Sequence, residues 1–381
     1  MATNRPMLPY ARQSVSDDDI QAVVDVLRSD WLTTGPKVDA FERAFADFVG
    51  APEAVAVANG TAALHAAMAA AGVGAGDEVI VPAMTFVASA NAAIYLGARP
   101  VIADVDAGTL LIDPRSVEQK ITDGTKAIVA VDYTGQPCDY DALRRIAEPR
   151  GLTLIADACH ALGAEYKDKK VGAIADFTVF SFHPVKHITT GEGGMITTAD
   201  PRAADEMRRF RSHGINANHR ERSAHETWRY EMESLGYNYR LSDFQCALGL
   251  SQLGTLPARL ARRREIARAY DRAFNGFANV KPLVVVSQVL HAYHLYVVRV
   301  RERARVFRNL RQRGIGVNVH YLPVHLHPYY RKTFSTARGN CPVAEQAYEE
   351  ILSLPMFSGM SIDDACRVIE AVAEEVEEHA A

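Results

Sequence analysis

The chain predicts an α/β fold: a large domain built on a doubly wound, mainly parallel sheet, followed by a smaller C-terminal α+β domain. From Glu53 to about Thr198, short β-rich runs alternate with helical stretches, the pattern of a parallel sheet with crossover helices. Several of these runs are apolar throughout, as strands covered on both faces are. After Leu235 the pattern changes to one long helical stretch, a β-like run and two further helices. That change sets the domains at residues 1–255, an N-terminal helix with the large domain, and 256–381, with the boundary inside the long helix near Leu256.

Taken in chain order, Ser16 before Asp17 to Asp19 is an N-cap signature and starts a helix that runs to Ser29. Lys37 to Val49 places Val38, Phe41, Phe45 and Phe48 on one helical face, where they read as core. The expected strands are Ala54 to Ala58, Glu78 to Val81, Pro100 to Asp104, Ala127 to Asp132, Thr153 to Asp157, Phe177 to Phe182 and Met195 to Thr198. Helices are expected at Thr61 to Ala71, Ser89 to Leu96, Pro114 to Ile121 and Tyr140 to Pro149. The C-terminal part then reads as a helix from Asp243 to Asn275, a β run from Leu290 to Val300, a helix from Ala304 to Arg313 and a closing helix from Ile362.

Composition excludes several function classes. With 381 residues, 48% hydrophobic and 23% charged, the chain is neither a disulfide-stapled miniprotein nor disordered. Forty-two basic residues stand against 46 acidic ones, and the acidic stretch from Glu374 to Glu378 reads as the solvated face of a last helix, so no nucleic-acid surface is expected. The five cysteines are widely spaced with no C-x-x-C pair, which fits reduced thiols in a cytoplasm. Met1 to Arg12 has no apolar signal core, and no apolar run is long enough to span a bilayer.

Ligands of open parallel sheets bind beyond the carboxyl ends of the strands, so polar residues there come first. Asn59-Gly60-Thr61-Ala62 ends a strand and starts a helix, which suits a phosphate and equally suits a plain capped turn. Asp157 closes an apolar strand, either as a helix cap or as a partner for a cationic ring nitrogen, and His160 follows on the same helical face. Ser181 and Lys186 lie in a loop that runs on to Gly191, Gly193 and Gly194. A surface loop has no need of a lysine fixed between a proline and a glycine cluster, whereas nucleophilic attack on a carbonyl needs such an amine held rigidly. His183 and His187 have no carboxylate or cysteine at metal-ligand spacing, so no metal is expected. Neither G-x-G-x-x-G nor G-x-x-x-x-G-K-[ST] occurs, which disfavours dinucleotide and ATP readings.

A phosphate-cradling turn, a strand-end aspartate and a loop lysine after a serine, in this chain order, resemble the fold-type-I pyridoxal-phosphate enzymes, whose large domain is aspartate-aminotransferase-like. Asp157-Ala-Cys-His160-Ala-Leu-Gly163 and Ser181-Phe-His-Pro-Val-Lys186 through Gly191-Glu-Gly-Gly194 resemble the DegT-type nucleotide-sugar aminotransferases. The likeness extends to Trp31-Leu-Thr-Thr-Gly-Pro-Lys37, Leu235-Gly-Tyr-Asn-Tyr-Arg-Leu-Ser-Asp243 and Leu354-Pro-Met-Phe. Gly135-Gln-Pro-Cys138, His183 to Thr190 and Val319 to Tyr330 look most like the pseudaminic-acid-pathway 4-aminotransferases.

The resemblance implies pyridoxal 5'-phosphate as cofactor, with Lys186 as the lysine that carries it and moves the proton, and Asp157 as the carboxylate at the pyridine nitrogen. It implies Gly60, Thr61, Ala62 and Ser181 at the phosphate, Phe86 stacked on the ring, His160 near the ring hydroxyl, and Asn238 reaching the phosphate from a second subunit of a homodimer with shared sites. L-Glutamate and a UDP-linked 4-keto-6-deoxy sugar are the expected substrates, with Tyr10, Thr33, Thr34, Tyr321 and His325 as sugar-side candidates and Arg240 or Asn218 to Arg222 near the diphosphate. A sugar dehydratase of this fold carries histidine at the lysine position, against which Lys186 stands. Amination at C3, another keto-sugar, or a cofactor-binding regulator without turnover remain open alternatives.

Overall fold

The computed structural model describes residues 6–217, 219–224 and 226–377; Asn218 and Glu378 of the stretches named above lie outside them, as do residues 1–5. In chain order the first elements are α1 Asp17–Leu27, α2 Pro36–Val49, β1 Glu53–Val57, α3 Gly60–Ala70, β2 Glu78–Pro82, α4 Ala88–Tyr95, β3 Arg99–Ala103, α5 Pro114–Lys120, β4 Thr125–Val131, α6 Tyr140–Ala147 and β5 Thr153–Asp157. A short hairpin, β6 Glu165–Tyr166 and β7 Lys169–Lys170, precedes β8 Phe177–Ser181, β9 Gly194–Thr198, α7 Pro201–Phe210, α8 His219–Ala224 and the long α9 Asp243–Phe274. The C-terminal part adds β10 Val280–Pro282, β11 Val289–Leu290, β12 Tyr296–Val300, α10 Arg303–Gln312, α11 Pro328–Phe334, α12 Pro342–Glu350, β13 Ile351–Leu354 and α13 Ile362–Glu377.

Seven strands form the main sheet in the order β1-β9-β8-β5-β4-β2-β3. The run from β8 to β3 is parallel, and β9 alone lies antiparallel, inserted between β8 and β1. The antiparallel β9 follows from chain length: the 12 residues between Ser181 and Gly194 form a loop with no crossover helix, so the chain must return beside β8. That return puts the loop carrying Lys186 at the carboxyl edge of the sheet.

Three apolar cores hold these parts. The first lies between the sheet and helices α3 to α7, where Val79, Ile80, Ala127, Ile128, Leu154 and Ile155 are fully buried. A second groups α2 and the first half of α9 around Phe41, Phe45, Phe180 and Phe182, whose ring centroids lie 5.0–6.0 Å apart. Burying each such ring contributes roughly 1.5–3 kcal/mol, and the helical spacing of Phe41 and Phe45 is what aims both at the sheet. Phe48, placed on that face by the sequence, is only half-buried and lies 4.9 Å beneath the Lys170 ammonium. The third core covers the small antiparallel sheet β10-β12-β13.

Helix α9 links the last two cores. Leu253, Leu256 and Leu260 pack against α2 and its strands, whereas Ile266, Tyr270 and Phe274 enter the C-terminal core. Two segments cross the expected division at residue 255. Leu8 packs with the C-terminal core and pairs with Ile315, and Val324, Tyr330 and Ala344 pack onto the large sheet's core. Helix α1 is anchored on α9, because Asp19, besides closing its own capping box with Ser16, accepts hydrogen bonds from Ser251 and Gln252.

The expected β run from Leu290 to Val300 is broken. Val289–Leu290 pairs with the hairpin strand β6, residues 291–295 form a turn, and pairing resumes at Tyr296. Inside the turn His291 Nδ1 accepts the Tyr293 amide at 2.7 Å, and Ala292 N donates to Gly135 O. A side-chain acceptor here competes with the ladder for the backbone donor.

Candidate active site

The carboxyl ends of β1, β5 and β8 and the turn 291–295 surround one cleft of about 790 Å³. Lining it are Tyr10, Asn59, Gly60, Thr61, Ala62, Phe86, Asp157, His160, Ser181, Lys186 and Tyr321, all named from the sequence except Asn59 as a side chain in its own right. Cys159, Glu192, Tyr239 and His294 line it as well and were not singled out, and His320, which reads equally as an ordinary surface or domain-interface histidine, lines it too. His320 adjoins a named tyrosine, so its neighbour was the available signal; His294 lay inside an expected strand and gave none.

Register explains how the end of the cleft at Ser181 is built. Ser181 pairs with Gly194 across β8 and β9, and Gly194 pairs with Val57 across β9 and β1. The start of α3 therefore lands beside Ser181, and Asn59 Oδ1 accepts the Ala62 amide at 2.8 Å to cap it. A Cβ at Gly194 would stand 2.5 Å from Asn59 O and 3.0 Å from Gly60 N, so the glycine is what lets loop and helix start meet. An anion there meets amides of an 11-residue helix and the Ser181 hydroxyl together. Gly194→Ala is expected to push this turn apart, lowering stability by about 1–3 kcal/mol in urea unfolding and speeding cofactor loss on dialysis. Unchanged values in both measurements would show the contact to be unimportant.

At the opposite end, Asp157 is buried and held by a relay. Ser89 Oγ donates to Asp157 Oδ2 at 2.7 Å, Thr85 Oγ1 lies 2.7 Å from Ser89 Oγ, and the Cys159 amide donates to Asp157 Oδ1 at 3.3 Å. These contacts fix the carboxylate and leave it able to accept further hydrogen bonds. Phe86, at 56% exposure, stands at the cleft with its ring 6.0 Å from that of Tyr321, so it is no core residue.

Lys186 sits half-buried beside Asp157 and Cys159. Burial pulls its amine below the usual lysine range, and the two acidic neighbours partly oppose this. A lysine so placed is nearer to the free amine that nucleophilic and proton-accepting work require. His160 is buried, and its Nε2 lies 3.1 Å from the Tyr321 hydroxyl while its Nδ1 has no partner. Desolvation keeps this imidazole neutral, with Lys186, His320 and His187 acting in the same direction.

The other sequence candidates lie elsewhere. His325 is fully buried with Nε2 2.8 Å from Glu345, so it braces the C-terminal segment and does not face the cleft. Thr33 and Thr34 line a separate cavity of about 650 Å³ with Arg208, Arg211, Arg220, Arg222 and Arg240, drawn there because Thr33 bridges to Ser242 at the start of α9. Asn238 bridges to Ser212 and does not line the cleft of its own chain.

The residues fit a pyridoxal-phosphate-sized group: an anion cradle at one end, a buried carboxylate at the other, an exposed aromatic ring, a depressed lysine and a buried neutral imidazole between them. The sequence pattern of the DegT/DnrJ/EryC1/StrS aminotransferases matches residues 13–373. The chain belongs to this family. It is 44% identical over 375 residues to the spore coat polysaccharide biosynthesis protein SpsC of Bacillus subtilis, covering 96% of each chain. Among solved structures it superposes on the putative sugar aminotransferase Spr1654 of Streptococcus pneumoniae, in its PLP form, with a TM-score of 0.91 at 35% identity, covering 97% of this chain and 99% of that one. It superposes equally, at 32% identity, on Helicobacter pylori PseC, an aminotransferase involved in the biosynthesis of pseudoaminic acid, covering 98% and 100%.

The protein is therefore a PLP-dependent sugar aminotransferase with the fold-type-I architecture. No helix among the described residues is long and apolar enough to cross a membrane.

Proposed function

We propose that the enzyme moves an amino group from L-glutamate to C4 of a UDP-linked 4-keto-6-deoxy-N-acetylhexosamine, the reaction type of the pseudaminic-acid branch, in the cytoplasm. The observation that carries the reading is the convergence of Lys186, Asp157, Ser181 and the α3 start on one cleft, with Tyr10 and Tyr321 facing the remaining space. The similarity to PseC and the three sequence stretches that look like that branch favour C4 over C3.

Bound pyridoxal phosphate supplies the electron-accepting ring on which amino transfer depends. Lys186 would hold the group through Nζ and would take and return a proton at that atom. Asp157 would supply the carboxylate that keeps a ring nitrogen protonated. Ser181 and the amides at Gly60 and Thr61 would hold the phosphate, the Ala62 amide being engaged by Asn59 Oδ1, while Phe86 and His160 would line the space of the ring. Donor and acceptor use the same space in turn, so initial-rate plots are expected to be parallel, as for a ping-pong enzyme.

The working unit in this reading is a homodimer with shared sites. Thr33, Thr34, Asn238 and Arg240 lie away from the cleft of their own chain, and in the segment leading into α9 Trp228 is 90% and Leu235 72% exposed. A second subunit would bury these aromatic and aliphatic side chains and bring the arginine-rich cavity toward the sugar's diphosphate.

The test is incubation of the cofactor-loaded protein with L-glutamate and the UDP-linked 4-keto sugar, with the product identified by mass spectrometry and NMR. A 4-amino sugar with matching 2-oxoglutarate release is the expected result. A product aminated at C3, or no turnover with this sugar and turnover with another keto-sugar, would overturn the substrate assignment.

A further inference from the structure

One wall of the cleft is built from two segments that lie far apart in the chain. Leu8 to Tyr10 runs along residues 314–318, and both meet β13 and the residues that follow it. Leu8 N donates to Gly314 O at 2.9 Å, Gly316 N to Leu8 O at 2.7 Å, and Met356 N to Tyr10 O at 2.9 Å. A Cβ at Gly316 would stand 2.7 Å from Leu8 O and 2.9 Å from Tyr10 N, so this close approach needs the glycine. Asn318 and Ser353 exchange backbone hydrogen bonds, Asn318 N to Ser353 O at 3.2 Å and Ser353 N to Asn318 O at 2.8 Å. The Tyr133 hydroxyl donates to the His320 carbonyl. These contacts bring Tyr10, Asn318, His320 and Ser353 together, and Tyr10 and His320 line the cleft with ring centroids 5.5 Å apart.

The hydrogen bonds among these side chains have a fixed sense. Asn318 Oδ1 accepts the Val319 amide at 2.8 Å, which orients the side-chain amide and leaves Nδ2 3.3 Å from His320 Nε2. Nδ2 can only donate, so His320 Nε2 accepts. A neutral imidazole that accepts at Nε2 carries its proton on Nδ1, and Nδ1 stands 2.8 Å from Ser353 Oγ, which receives it. His320 is buried, and desolvation with the nearby Lys186 charge pulls its pKa down to about 4, which keeps it neutral. The second Nδ2 hydrogen of Asn318 serves the Tyr10 hydroxyl, while burial holds that phenol above its ordinary pKa and so protonated. Tyr10 therefore accepts from the protein and has its own proton to give to a group in the cleft.

We propose that Ser353, His320 and Asn318 form a relay that fixes the Tyr10 hydroxyl as a donor to an oxygen of the acceptor sugar. Tyr10 is then a specificity-determining contact, and Asn318 and His320 are its positioning residues. The inference rests on the reading that a nucleotide-linked keto-sugar enters this cleft, and adds which group meets one of its oxygens. A neutral donor of fixed direction suits a neutral hydroxyl or carbonyl oxygen, whereas the carboxylates of L-glutamate are met best by cations.

The test uses Tyr10→Phe, which removes only the hydroxyl, Asn318→Asp, which keeps the shape and replaces a donor by an acceptor, and the double variant. In a ping-pong enzyme kcat/KM for the UDP-linked 4-keto sugar and kcat/KM for L-glutamate each report one half-reaction, so both are measured on the cofactor-loaded proteins. Tyr10→Phe is expected to lower the sugar value by roughly five- to tenfold and the glutamate value by no more than about twofold. Asn318→Asp should cost the sugar at least as much, because a carboxylate beside Tyr10 takes the proton meant for the ligand. In the double variant Asn318→Asp should add less than about twofold to the loss from Tyr10→Phe. Should Asn318→Asp fail to fold, His320→Phe, which leaves Asn318 Nδ2 without its acceptor, is compared with Tyr10→Phe in the same way. Equal losses for sugar and glutamate, or a full second loss in the double variant, would overturn the proposal. If the unmutated enzyme forms no amino sugar from this keto-sugar while glutamate still converts the bound cofactor, the substrate reading falls, and the donor assignment with it.

Discussion

Lys186→Ala is expected to abolish both turnover and covalent cofactor attachment. Adding pyridoxal phosphate to the unmutated protein, reducing with borohydride and digesting should yield one labelled peptide, carrying the tag on Lys186. The alanine variant should yield none, and its visible band should match free cofactor. Turnover should fall on the order of 10⁴-fold, because the variant loses a nucleophile and a proton-transfer group in a single side chain. The physical basis is the half-buried position of Lys186 beside Asp157 and Cys159, where desolvation moves the amine toward its free form. The sign for pH follows: as the amine deprotonates below the usual lysine range, attachment should set in at lower pH than for an exposed lysine. A label on another lysine, or retained turnover in the variant, would remove Lys186 from the chemistry.

Much of this cleft was legible because residues that line it sit at strand ends, where an apolar run stops and a polar residue begins. Asp157 after Thr153 to Ala156, and Ser181 after Phe177 to Phe180, are of this kind. The parallel sheet was legible for the same reason, since strands buried on both faces read as uninterrupted apolar runs. The antiparallel setting of β9 was not, because an isolated five-residue run has no direction of its own. His325 was misplaced because a histidine beside prolines and aromatics reads the same whether it faces a cleft or a buried Glu345. His294 was hidden for a different reason. Its delivery to the cleft depends on Gly135 and Arg263, residues 159 and 31 positions away, and no local pattern records such contacts.

Asp157→Asn is expected to leave binding largely intact and to lower kcat by about 10²–10³-fold, a loss comparable to removing one preorganised electrostatic group at a reacting centre. The substitution preserves shape. Asparagine's carbonyl oxygen can still accept from Ser89 Oγ, now 2.7 Å from the carboxylate, and the sheet register of Asp157 with Val131 and Val179 depends on backbone alone. What disappears is the negative charge, and with it the ability to hold a proton on a facing ring nitrogen. An unprotonated ring is a poorer electron acceptor, so in the proposed mechanism the proton transfer assigned to Lys186 should slow while the turn at Gly60, Thr61 and Ser181 is untouched. The cofactor dissociation constant should therefore change less than tenfold. Ser89→Ala gives the graded comparison: the charge remains but one of its fixed donors is lost, so kcat should fall by a smaller factor, with the Thr85 hydroxyl left without its partner. If Asp157→Asn lost cofactor affinity and kcat in equal measure, the carboxylate would be a binding group and the ring nitrogen would face elsewhere. If kcat were preserved, Asp157 would be no more than the buried end of a strand.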